Sequence, residues 1–122
     1  MRKLTLALAL LTCGASSGFD VEAREPATHT VVIEGMRFTP SAVTVRPGDS
    51  VTWINKDIVD HTATTPASAS RPFDSQLIGQ GKSWTRRFTA VGTYEYLCTY
   101  HPTMTGSVTV SAKRPGRQSA RK

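Results

Sequence analysis

The sequence predicts an all-β domain, an antiparallel sandwich or barrel. Short runs rich in Val, Ile, Thr and aromatic residues recur along it, Gly and Pro separate them, and no stretch sustains helical periodicity. The first run is Thr30–Glu34, closed by Gly35. Ala42–Arg46 alternates and ends at Pro47-Gly48-Asp49, a turn in which Pro presets φ and Gly supplies conformational freedom. Ser50–Asn55 alternates again, with Val51, Trp53 and Asn55 on one face. Ser83–Phe88, Gly92–Cys98 and Gly106–Val110 bring the count to six or more strands at the spacing of a sandwich. Residues 56–82 carry no clear period and are expected to form loops with a short irregular strand or a turn of helix. Trp53, Trp84, Phe88 and Val91 are assigned to the core.

The 122 residues suffice for one domain and little else. Arg2 and Lys3 precede an apolar run, Leu4–Leu11, and small residues follow, the pattern of a secretory signal. That run is far short of the roughly 20 residues of a membrane-spanning helix, so no transmembrane segment is expected. Residues 1–23 are read as the signal peptide, cleaved after Ser17 or Ala23; Cys13, just past the apolar run, makes a lipoprotein anchor the alternative. The protein is therefore expected to be periplasmic or otherwise exported. Residues 24–112 form the domain, and 113–122 a disordered basic tail with five basic residues and no acid. The formal charge of +6 belongs to that tail, because residues 24–112 hold eight basic against seven acidic residues. Export argues against nucleic acid as the partner of such a tail. Anionic lipid or an acidic partner is the plainer counterpart.

The chemistry concentrates in Tyr94–Gly106. Tyr94, Tyr96 and Cys98 point one way along a strand, and Glu95 and Leu97 the other. His101 follows Cys98 by three residues and Met104 follows His101 by three, so a thiolate, an imidazole and a thioether can converge from one tight turn stiffened by Pro102. Two imidazoles and a thiolate with a weak axial thioether suit both oxidation states of copper. The second imidazole must come from His29 or His61. His61 lies a short loop beyond Trp53-Ile54-Asn55, where a neighbouring strand reaches the same end of the sandwich; His29, ahead of the first strand, is read as a solvated residue. The expected metal site is thus His61, Cys98, His101 and Met104 around one type 1 copper ion. Cys98 would otherwise be a lone thiol in an oxidising compartment.

Three segments together resemble the cupredoxins, among them amicyanin, pseudoazurin and plastocyanin. They are Phe38-Thr39-Pro40 leading to Val43–Trp53, then Asp60-His61-Thr62, then Gly92–Met104. The resemblance covers Thr28–Ala112 and implies an eight-stranded Greek-key sandwich with the metal at one end. It further implies imidazole ligation through Nδ1, and His101 as the electron port, ringed by Tyr100, Pro102 and Thr103 as a docking patch for redox partner proteins. Relatives often carry Pro-His-Asn where this chain has Asp60-His61-Thr62, so Thr62 or backbone groups must brace the Cys98 loop.

The reading that follows is a monomeric single-electron carrier and not an enzyme. A periplasmic copper chaperone or buffer on the same fold is the alternative, although such proteins chiefly use Met- and His-rich exposed sites and this chain has three Met. Multicopper enzymes need more His ligands than three. A structural zinc site would leave Met104 without a role. Gly81-Lys82-Ser83 mimics the end of a P-loop, but the first Gly that motif needs is Gln76 and no helix follows.

Overall fold

A computed structural model describes residues 24–113, with Gly14 alone before them. The expected signal peptide, its Cys13 and nearly all of the basic tail lie outside the described residues. Seven strands form among the described residues: β1 (Thr28–Ile33), β2 (Phe38–Thr39), β3 (Ala42–Val45), β4 (Ser50–Asn55), β5 (Ser83–Arg87), β6 (Gly92–Cys98) and β7 (His101–Val110). They make a four-stranded sheet in the order β2-β1-β4-β5 and a three-stranded sheet in the order β3-β7-β6. No helix occurs among the described residues.

Alternation dictates the layers. Val51, Trp53 and Asn55 of β4 are fully buried, and the inward residues of β6, Tyr94, Tyr96 and Cys98, are buried with them. Between the sheets, Trp53 meets Tyr96 edge-on, with ring centres 5.4 Å apart, and packs on Phe73, Trp84 and Phe88. At Gly106 any side chain would overlap the ring of Tyr96, so the close approach of β7 to β6 requires glycine there.

Four expectations need correction. The sheets are mixed, because β1 pairs with β4, and β3 with β7, in parallel. Between β1 and β4 the chain crosses to the other sheet to lay down β3, which lets both β1 and β4 run toward the same end. In place of a strand, residues 56–82 contribute isolated bridges, His61 to Ile78 and Thr64 to both Asp74 and Leu97. Val91 is not core: it is 56% exposed in the turn between β5 and β6. His29 is half-buried rather than solvated, with Nε2 3.0 Å from the buried carboxylate of Asp49.

The strand directions give the sandwich two unlike poles. Ile33, Asn55, Ser83, Cys98 and His101 mark one; Thr28, Val45, Ser50, Arg87, Gly92 and Val110 mark the other.

Candidate metal centre

At the first pole the ends of three segments converge. Cys98 closes β6, and the register slips between Leu97 and Cys98, so that Cys98 faces His101 across the turn into β7. His61 arrives from the loop after β4, held by paired backbone hydrogen bonds with Ile78 at 3.2 and 2.8 Å. The side-chain amide of buried Asn55 fastens the same loop by donating to the carbonyls of Val59 and Ile78, each at 2.8 Å.

The donor atoms meet there. Cys98 Sγ lies 3.7 Å from His61 Nδ1 and 3.7 Å from His101 Nδ1, and the three ligand atoms fall within 4.8 Å of one another. His61 and Cys98 are completely buried, and His101 is partly exposed. Met104 is buried at 4% exposure, on β7 itself rather than in the loop expected for it, three residues beyond His101. His29 takes no part, since it sits at the other pole with Asp49.

His61 and Cys98 are each contacted from outside the cluster. His61 Nε2 sits 2.9 Å from Asp57 Oδ2; a proton on Nε2 directed at that carboxylate leaves the Nδ1 lone pair facing Cys98. Burial alone would raise the Asp57 carboxyl, but the backbone N–H groups of Met36 and Gly35 donate to it and His61 adds to them, so it ends below the usual carboxylate value. The Thr62 N–H points at Cys98 Sγ from 3.4 Å, a backbone donor aimed at the sulfur. The Thr62 hydroxyl accepts from Thr99 N–H at 2.9 Å and from Thr64 at 2.9 Å, and donates to Thr99 Oγ1 at 3.1 Å. Both the side chain and the backbone of Thr62 therefore brace the Cys98 loop.

One cysteine sulfur and two imidazole nitrogens, buried on the inner side, match the soft and borderline donors that copper takes in both oxidation states. The family model of the copper binding proteins, the plastocyanin/azurin family, matches residues 26–111. The chain belongs to this family. Among its relatives is amicyanin-alpha of Methylorubrum extorquens, 31% identical over 118 residues, which span 90% of this chain and 99% of the relative. A solved amicyanin, a proline-to-alanine variant in the oxidised state, superposes with a TM-score of 0.65 at 32% identity, covering 74% of this chain and 87% of that one. The copper-containing nitrite reductase of Thermus scotoductus superposes with a TM-score of 0.67 at 28% identity; the match covers 75% of this chain but 24% of that larger protein. As a member of the plastocyanin/azurin family the chain is a copper protein with a cupredoxin fold.

Sequence reasoning missed the carboxylate behind His61. Asp57 is four residues before it, a spacing that signals contact only once the loop is known to turn back. It also treated Asp49 as a turn residue, whereas its buried carboxylate ties together Arg24, Ala27, His29 and Arg46.

Proposed function

We propose that this protein is an exported type 1 copper carrier of single electrons, with the ion held by His61, Cys98, His101 and Met104. The observation that carries the reading is the convergence of the Cys98 thiol and two Nδ1 atoms in a pocket held by the chain itself. Copper bound there supplies a one-electron couple. The residues supply constancy: Asp57 fixes the ring of His61, Thr62 donates to the sulfur, and β6 and β7 hold Cys98 and His101 from either side of one turn. Ligands that move little between oxidation states keep the reorganisation accompanying each electron small.

His101 is the way in and out, because it alone of the four borders the surface, in a shallow recess with Asp60, Leu77 and Tyr100. Leu77 is 56% and Tyr100 62% exposed, and Pro102 and Thr103 lie open beside them. This apolar rim suits brief docking of redox partner proteins, from which an electron can pass to the imidazole edge without a deep interface. The domain spans residues 24–112 behind a signal peptide of residues 1–23, and works as a monomer without an enzymatic activity of its own.

Potentiometric titration with electron self-exchange followed by NMR tests the carrier role. A reversible one-electron couple with rapid exchange, slowed by Tyr100→Lys or Leu77→Lys beside His101, is the expected result. Irreversible redox behaviour, or metal lost on reduction, would point instead to copper storage or transfer.

A further inference from the structure

The pole remote from the metal carries a charge pattern that electron transfer at His101 does not use. Strand ends and turns bring Arg46, Arg71, Arg87 and Lys113 to it from four separate segments. Arg87 reaches over the turn at Gly48, and Arg71 Nη1 donates to the carbonyl of Val91 at 2.8 Å beside Gly92. Arg24 is there too, but its guanidinium is taken up by buried Asp49. The other carboxylates near this pole are Glu25 and Glu95. The metal pole differs in sign: Glu34, Asp57, Asp60 and Asp74 stand against Arg37, Lys56 and Lys82. Past Lys113 the sequence adds Arg114, Arg117, Arg121 and Lys122 with no acid, and it leaves the domain from the remote pole, where β7 ends.

We infer that this remote pole is a docking surface for anionic phospholipid. Three features favour lipid over an acidic protein. The charges are spread over turns between strand ends and not gathered in a cleft. They come from four segments with no pairing register, which laterally mobile headgroups can match and fixed carboxylates match poorly. Val91, the large apolar side chain exposed among them, sits where it can enter the headgroup layer. The arrangement also aims the molecule. Ten residues of β7 separate His101 from the basic pole, roughly 30 Å at the rise of a strand, so the docked protein turns its electron port away from the membrane.

The experiment is co-sedimentation of the mature copper-loaded chain (residues 24–122) with phosphatidylcholine vesicles, with and without a phosphatidylglycerol fraction, at low and physiological salt. Its readout is independent of the copper reading. Partitioning onto the anionic vesicles alone, weakening as salt rises, is expected. Each positive charge removed should lower it roughly fivefold at low salt. The triple variant Arg46→Gln, Arg71→Gln, Arg87→Gln should therefore bind more weakly, with circular dichroism confirming that it is folded. Ferricyanide should oxidise vesicle-bound and free protein at the same rate. No binding to anionic vesicles at low salt, or equal binding to neutral ones, would overturn the inference. So would a triple variant that binds like the parent, or oxidation slowed more than tenfold on the vesicle. Retention on immobilised polyglutamate without vesicle binding would assign the pole to an acidic protein instead.

Discussion

Replacing Thr62 by valine tests how the metal pole is braced. Valine keeps the shape of threonine and removes only the hydroxyl. That hydroxyl is saturated, accepting from Thr99 N–H and Thr64 and donating to Thr99 Oγ1, in a residue 4% exposed. Each such bond contributes about 1 kcal/mol net. Thr64 keeps Asp74 as a partner at 3.0 Å, and the exposed Thr99 finds water, so the loss should be about 2 kcal/mol rather than three full bonds. For a domain of this size that corresponds to a fall in Tm of about 10 °C. Thermal and urea unfolding of the copper-free protein measure it directly. The backbone N–H of Thr62 still points at Cys98 Sγ in the variant, so the colour of the loaded protein should persist while copper leaves faster. Thr62→Asn, which restores a polar group of the kind relatives place there, should recover part of the loss. A change below about 0.5 kcal/mol with unaltered copper release would refute the assignment of Thr62 as the brace of the loop.

Two further outcomes follow from the remote pole and the sheet contact. The Arg24 guanidinium, with backbone donors from Ala27 and Arg46 and His29 beside them, holds the Asp49 carboxyl well below the usual carboxylate range against the cost of burial. A depressed folded-state pKa gives stability that is fully present above the unfolded value of about 3.9 and is lost as pH falls below it; Asp49→Asn should flatten that acid limb and cost about 3 kcal/mol at neutral pH, measured by urea unfolding across pH 3–7. Gly106→Ala places a methyl group into the ring of Tyr96 and should cost at least about 2 kcal/mol, and the double variant with Tyr96→Leu should recover much of it if the overlap is the cause.

Much of this architecture is legible in the sequence because burial in a sandwich leaves a period of two. The bounds of β4 and β6 follow from alternation alone, and the inward set Tyr94, Tyr96 and Cys98 is what the pleat demands. Cys98, His101 and Met104 are visible because they follow one another at intervals of three residues in one short segment, while His61 had to be inferred from the end to which a neighbouring strand runs. What escaped depends on contacts between distant segments. Parallel pairing of β1 with β4 is set by the crossover between the sheets, which no local pattern records. Phe38–Thr39 is too short to show a period. Val91 looks like core by composition, but its place in the turn between β5 and β6 leaves it nothing to pack against on its outer side. Asp49 and Asp57 read as ordinary turn and loop acids until the fold brings Arg24 to the one and His61 to the other.

The central claim is that Cys98 completes a copper site with His61, His101 and Met104. The visible and EPR spectra of the Cu(II)-loaded protein, beside those of Cys98→Ser, test it most directly. Intense red-region absorption from thiolate to copper, with narrow copper hyperfine splitting and loss of both in the variant, is the predicted result. A nearly colourless protein with an ordinary tetragonal copper signal, indifferent to the substitution, would contradict it.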